Sequence, residues 1–136
     1  MMVNMPKPFY SLSLSLENYS ILKRIKEGYL LWLAIVPHMA KSSRYTIGSR
    51  IENRFLDLME FSYDTYFTAI NEKKEKISRC IKDLDKLKYL LSLAWEAKLI
   101  SNKQYEAVAL KLYEAGRMLG GWKNNLSNPK KKNRTL

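Results

Sequence analysis

Apolar residues recur every three or four positions along most of this chain, and this spacing constrains the fold more than any other feature. It matches the helical repeat of about 3.6 residues and appears in four segments joined by short polar connections. Glycine and proline are scarce, at five and four residues of 136, which favours helices over a sheet with many turns. The sequence therefore predicts an all-α fold, an antiparallel up-down-up-down four-helix bundle.

The first two helices are separated by a short basic connection. The first is predicted over residues 18–36, and Pro37 ends it because proline disfavours a helical predecessor and supplies no N–H. Gly28 lies in its middle and indicates a tight crossing with a neighbour. The second is predicted over residues 47–70, with the hydroxyl of Thr46 as its N-cap. Its apolar surface is wider than one stripe, so we expect it to be central or to pack against a second molecule.

The third helix is predicted over residues 72–98, after a break in the pattern at Asn71. Its apolar residues alternate in threes and fours, as is typical of a bundle helix. Glu75 and Arg79 are expected to form an i,i+4 ion pair on its solvated face.

The fourth helix follows a capping box formed by Ser101 and Gln104 and is predicted to end at Trp122. Three glycines near its end are unusual, because each weakens a helix interior by about 1 kcal/mol relative to alanine. Gly116 is expected to permit close approach of another helix. The glycines at 120–121 are expected to loosen the last turn, so that Trp122 closes the bundle end or packs on a neighbouring molecule.

The bundle is predicted to span residues 18–122, with one segment on either side. Residues 1–17 contain a Ser-Leu alternation that fits a short strand, but no second strand is evident, so we predict a flexible N-terminal arm. Residues 123–136 are predicted to form a flexible basic tail. The tail is either an arm for phosphate groups or a solubilising end.

The net charge of +11, from 24 basic and 13 acidic residues, indicates an anionic partner. Nucleic acid is the first expectation, ahead of an anionic membrane surface or an acidic protein. The tail contains five basic residues and no acidic one, so most of the excess charge lies on the predicted bundle.

The chain contains no set of residues typical of catalysis, a metal or another cofactor. One cysteine, Cys80, and one histidine, His38, exclude an internal disulfide and a zinc cluster within one chain. A di-iron bundle would require Glu-x-x-His pairs, and the chain has none. Cys80 lies on an apolar helix face, so we expect a buried, inert thiol. A non-enzymatic binding protein is therefore predicted, and a small enzyme that uses carboxylates is the weaker alternative.

The first residues lack the apolar core of a secretory signal. The longest apolar run is too short to span a bilayer. We therefore expect a cytoplasmic protein with no membrane partner.

The candidate binding residues are basic and lie in the predicted connection, bundle and tail, since arginine and lysine contact phosphates. Tyr45 can stack a base or pack against the bundle, and packing is the expectation. The predicted contacts to nucleic acid or to a protein partner are Lys41, Arg44, Arg50, Arg54, Arg79, Lys88, Arg117, Lys123, Lys130, Lys131 and Lys132.

Several stretches resemble a small bacterial family of four-helix bundles. Pro37, the sequence RYTIG at residues 44–48 and RIE at residues 50–52 resemble that family's junction between helices 1 and 2. LDKLK at residues 84–88 resembles its helix 3 signature, and GRMLGGW at residues 116–122 its closing motif. The family includes the accessory variability determinant protein of diversity-generating retroelements, and proteins encoded in intervening sequences of large-subunit ribosomal RNA genes.

The resemblance implies a homopentameric barrel of antiparallel four-helix bundles with a basic surface. It also implies a non-enzymatic accessory protein that binds a reverse transcriptase and RNA or DNA. Such a protein supports mutagenic synthesis of complementary DNA and retrohoming into a variable gene.

The retroelement accessory protein is the first expectation, and one departure from the family pattern adds slight weight to the alternative, a structural or RNA-associated oligomer of the ribosomal intervening-sequence type. Family members often carry arginine where Lys88 stands and a basic residue where Ser92 stands.

Overall fold

The structure, a computed structural model, describes residues 19–127 and is a bundle of four long helices. No strand occurs within this range, so the predicted all-α class is confirmed. The helices are α1 (Ser20–Ile35), α2 (Ser49–Tyr66), α3 (Ile70–Glu96) and α4 (Asn102–Ser127). The predicted arm at residues 1–17 and the predicted binding residues Lys130, Lys131 and Lys132 lie outside the described residues.

Each long helix contributes one apolar stripe to a single core, and these stripes are the ones that the three-four periodicity predicts. Burial of an aliphatic or aromatic side chain of this size contributes about 1.5–3 kcal/mol. The largest fully buried side chains are Trp32, Phe55, Ile25, Ile51, Leu58, Ile77, Leu84, Leu87, Leu91, Leu112, Leu119 and Val108. None of the four helices, within residues 19–127, is both long enough and apolar enough to cross a bilayer.

The end of α1 contacts the start of α2, and the start of α1 contacts the end of α2, so residue order runs in opposite directions in the two helices. Trp32 near the end of α1 donates a hydrogen bond to the carbonyl of Gly48, just before α2. Tyr19, just before α1, packs on Tyr66 at the end of α2, with ring centroids 4.2 Å apart.

The same opposite order holds between α1 and α4. Glu27 of α1 lies 3.6 Å from the Lys111 ammonium, and Arg24 lies 3.5 Å from a Glu114 carboxylate oxygen. Ion pairs of this partly exposed kind contribute little energy, so the apolar core sets the packing of the two helices.

The connection between α1 and α2 is helical over most of its length, and the predicted N-cap role of Thr46 is wrong. After a 3-10 turn at Val36–His38, one helical turn at Lys41–Ser43 continues into a π-helical segment at Arg44–Gly48 and then into α2. Thr46 therefore lies inside continuous helix, where no unpaired N–H of a first turn is available to cap. Its hydroxyl donates to the carbonyls of residues 42 and 43 instead. The chain turns at Ala40, whose ψ of 140° is extended.

The boundary between α2 and α3 lies earlier than the pattern predicts. Helix α2 ends at Tyr66 rather than at residue 70, and Asn71 lies inside α3 instead of breaking it. The hydroxyl of Thr68 donates to the carbonyl of Asp64 at 2.9 Å, and such local bonds compete with helix continuation. Ala69 is then extended, with ψ of 143°, and the next helix begins after it.

Helix α4 begins as predicted and ends later than predicted. The capping box is present: the Gln104 N–H donates to Ser101 Oγ at 3.1 Å, and the Ser101 N–H donates to Gln104 Oε1 at 2.9 Å. The helix continues to Ser127, so the glycines at 120–121 do not loosen a final turn at Trp122. Packing of Leu126 against the core offsets their helix cost.

Two glycines lie where helices approach closely, as the sequence predicts. A Cβ at Gly28 would lie 3.2 Å from Cε1 of Phe55. A Cβ at Gly116 would lie 3.4 Å from Cδ2 of Leu84 and 3.1 Å from Nζ of Lys88. The two crossings bring α2 against α1, and α3 against α4.

Candidate nucleic-acid interface

A groove of about 420 Å³ lies between α2 and α3, and four of its seven lining residues are basic. Arg50 and Arg54 lie one turn apart on α2, while Lys82 and Lys86 lie one turn apart on α3. Residues four apart share one helix face, so the two pairs form facing cationic stripes. The remaining lining residues are Asp85, Tyr89 and Leu90.

The positive charges of the four groove cations are not neutralised by a neighbouring carboxylate in the described part of the chain. Within residues 19–127, no carboxylate oxygen lies within 4.0 Å of any of them. Asp85, the single acid in the lining, lies 3.9 Å from the ammonium of Lys88. The groove therefore has excess positive charge on two helices, a suitable arrangement for phosphate groups.

Arg79, a predicted binding residue, lies one turn before Lys82 on α3. Its guanidinium lies 4.6 Å from the centroid of the Phe61 ring and 4.0 Å from Asp83, and the side chain is 68% exposed. The expected pairing with Glu75 is wrong, because the Phe61 ring on α2 and the partly buried Asp83 hold the guanidinium on the α2 side. Arg79 can extend the basic surface beyond the groove.

Lys88 and Arg117 lie away from the groove. Lys88 lies on the side of α3 that packs against Gly116 of α4, and its ammonium lies 3.9 Å from the Asp85 carboxylate. Arg117 is exposed on α4. The predicted binding residues thus occupy more than one surface of the bundle.

The junction before α2 contains two predicted binding residues in different surroundings. Lys41 is exposed. Arg44 donates from Nε to the Met39 carbonyl at 2.9 Å and from Nη2 to the Pro37 carbonyl at 3.1 Å. These carbonyls follow the end of α1, so Arg44 stabilises the turn with its guanidinium. Tyr45 is 72% exposed, and the expectation that it packs against the bundle is wrong because the π-helical segment directs it outward.

Lys123 lies inside α4 and is partly buried, rather than in a flexible tail. The helix continues past it because Trp122 packs beside the end of α2, where its ring stacks on Tyr66 with centroids 4.8 Å apart. Lys73 lies above the same indole at 5.6 Å.

Five of the seven groove residues were not among those predicted from the sequence, and three of them, Lys82, Lys86 and Tyr89, carry the charge and the exposed ring on the α3 wall. Their i, i+4, i+7 spacing places them on one helix face and is a signal that the sequence does contain. The facing stripe of Arg50 and Arg54 has the same spacing, but only the packing of α2 against α3 brings the two together.

Cys80 is fully buried, as predicted, and lies between the hydroxyls of Ser62 and Thr65 at 3.8 and 3.5 Å. Burial raises the pKa of its thiol, and the two hydroxyls oppose that shift. A protonated thiol without access to solvent is a packing group and a poor nucleophile.

Fold and groove together define a class of protein, a small basic helical bundle with a cationic groove on its surface. The chain belongs to the bAvd-like family, that of the accessory variability determinant, whose family model matches residues 20–126. Membership indicates an accessory protein of diversity-generating retroelements, and this family is not a known class of enzyme. Comparison with curated proteins and with solved structures found no match.

Proposed function

We propose that this protein is a non-enzymatic accessory subunit of a diversity-generating retroelement that binds RNA or DNA and the reverse transcriptase through its basic surface. In this role it supports mutagenic synthesis of complementary DNA and retrohoming. The observation that carries the proposal is the groove between α2 and α3, whose four cations lack a carboxylate partner among the described residues of a bAvd-like chain.

The chemistry of the groove supports the nucleic-acid part of the proposal. Guanidinium groups bind phosphate oxygens through a planar fork, and ammonium groups add flexible point charges. Each phosphate contact releases bound counterions, so binding gains free energy at low salt and loses it at high salt. Two cations from each of two helices can contact one backbone from both sides.

Self-association is the second part of the proposal, with each protomer an antiparallel up-down-up-down bundle in a homopentamer. The opposite residue order of the contacts between neighbouring helices supports the antiparallel arrangement. Large apolar side chains on the outside support the assembly: Leu30 of α1 is 52% exposed and Phe67, just after α2, is 61% exposed. A contiguous exposed apolar patch marks a site for another molecule, and Leu30 has an exposed apolar neighbour, Leu33, one turn further along α1.

Nucleic-acid binding across a range of salt concentrations tests the proposed interface. The variant replaces Arg50, Arg54, Lys82 and Lys86 with alanine. Its matched control replaces four other exposed cations, also without a carboxylate within 4.0 Å among the described residues: Lys23, Lys26, Lys74 and Lys103. We expect the groove variant to reduce the slope of log affinity against log salt by about 3, at about 0.7 per phosphate contact for single strands. Equal losses in both variants would show that net charge, and not the groove, determines binding.

Co-purification with a reverse transcriptase of a diversity-generating retroelement, together with sedimentation of the chain alone, tests the protein partner and the self-association. We expect a complex of fixed stoichiometry with the full-length chain and a pentameric mass by sedimentation for the chain alone. RNA binding without any reverse-transcriptase complex would favour the ribosomal intervening-sequence type of protein instead.

A further inference from the structure

We propose that the groove between α2 and α3 takes a single strand of nucleic acid, with one base stacked on the ring of Tyr89 and neighbouring phosphates held by the groove cations. This inference rests on the proposed function, since it names the form of nucleic acid that the same groove binds. The ligand chemistry is an unpaired base with a phosphate on either side, and RNA and DNA both supply it.

Tyr89 distinguishes this groove from a purely electrostatic surface. It lines the groove and remains 69% exposed, so a ligand in the groove has access to its ring. Within residues 19–127 the ring is in no aromatic pair, and its hydroxyl forms no hydrogen bond. Two other exposed rings do pack on protein, since Tyr63 and Phe67 pair with each other at 4.9 Å.

The position of Tyr89 on α3 allows one ligand to contact ring and cations together. Lys82, Lys86 and Tyr89 follow one another at i, i+4 and i+7, a distance of about 10 Å along the helix axis. Arg50 and Arg54 line the opposite wall. A base on the ring therefore has cations beside it on α3 and opposite it on α2 for the neighbouring phosphates.

The form of the ligand follows from which base surfaces are accessible. Inside a duplex each base face is covered by its neighbours, and only the base edges are open in the grooves. A duplex can thus contact the cations but not stack on Tyr89. A single strand can turn one base out onto an aromatic ring, and such stacking is tolerant of sequence.

Affinity measurements on the full chain test this inference with three variants. Tyr89→Ala removes the ring, Tyr89→Phe keeps it, and Tyr113→Ala removes a tyrosine on α4 that is 57% exposed and lies outside the groove. The ligands are short single-stranded RNA and single-stranded DNA of one sequence, and the duplex of that DNA. We expect Tyr89→Ala to weaken both single strands by about 5- to 150-fold, the effect of losing one stacked base. Duplex affinity is expected to stay unchanged, and Tyr89→Phe and Tyr113→Ala to bind like the parent.

The outcomes separate this inference from the proposed function. If the parent binds no nucleic acid, or the groove charges do not affect binding, both fail. If the groove charges matter but Tyr89→Ala leaves single-strand affinity unchanged, or weakens the duplex equally, only the stacking inference is overturned. Polyglutamate that binds as tightly as the single strands would also overturn it, because that chain supplies charge but no base. Melting curves for each variant show that the bundle remains folded.

Discussion

Trp32 donates a hydrogen bond from its indole Nε1 to the carbonyl oxygen of Gly48 at 3.1 Å, across sixteen residues and inside the core. Gly48 ends the π-helical segment that leads into α2. Trp32 is fully buried, so its N–H could not bond to water if this hydrogen bond were lost. One side chain of α1 thereby fixes the position at which α2 begins.

Trp32→Phe tests this bond. We expect a loss of about 1–3 kcal/mol in the free energy of unfolding, because the Gly48 carbonyl would remain buried without this partner. Denaturant titration measures it. Trp95→Phe is the control, because its indole also donates a hydrogen bond, to Asn102 at 2.6 Å, but at an exposed site. An equal loss in both variants would contradict a special role of burial at Trp32.

Alanine substitutions are expected to separate the glycines into two kinds. Gly28→Ala places a methyl group 3.2 Å from the buried Phe55 ring, and overpacking of a core costs about 1–3 kcal/mol. Gly121→Ala meets no atom within 4 Å and should stabilise the helix by about 0.5–1 kcal/mol. Thermal melting of both variants gives the comparison. A destabilising Gly121→Ala would show that another molecule packs on that face.

Arg44 is expected to affect stability more than nucleic-acid binding. Arg44→Lys keeps the charge but loses the planar fork that reaches the carbonyls of Pro37 and Met39, so we expect a loss of about 1–2 kcal/mol in unfolding free energy. Arg50→Lys is the matched control, because no protein partner of its guanidinium occurs within the described residues. Unchanged stability of Arg44→Lys would contradict the assignment of Arg44 to the turn.

The burial of Tyr66 predicts a loss of stability at alkaline pH. Desolvation raises the pKa of Tyr66 to about 12, while an unfolded tyrosine titrates near its ordinary value of about 10. The fold favours the neutral phenol, so this contribution is fully present below about pH 10 and is lost as the pH rises toward 12. We expect the melting temperature of the parent to fall more steeply over this range than that of Tyr66→Phe. Parallel curves would contradict the assignment.

Local chemistry in the sequence was enough to predict several features of the fold. The capping box of Ser101 and Gln104 depends on residues three positions apart, and the structure contains both of its hydrogen bonds. Gly28 and Gly116 lie at close helix crossings, as a glycine inside an apolar helix pattern indicates. The boundaries that were wrong, at Thr46, Asn71 and Trp122, lie where packing competes with local preference.

The candidate site was only partly predictable for the same physical reason. Arg50 and Arg54 were identified by their charge, but Lys82, Lys86 and Tyr89 join them only because α2 packs on α3. Arg44 was also predicted as a binding residue because of its charge, although its guanidinium donates hydrogen bonds to two backbone carbonyls.

The sequence by itself determined the all-helical class, the core stripes and the excess positive charge, because helical periodicity depends on residues close in the chain and net charge is a sum over the chain. Tertiary structure decided which cations face solvent together and which stabilise the fold. It also placed an exposed tyrosine on the wall of the basic groove. The groove joins residues of α2 and α3 that lie about thirty positions or more apart, and only the packing of whole helices brings such residues together.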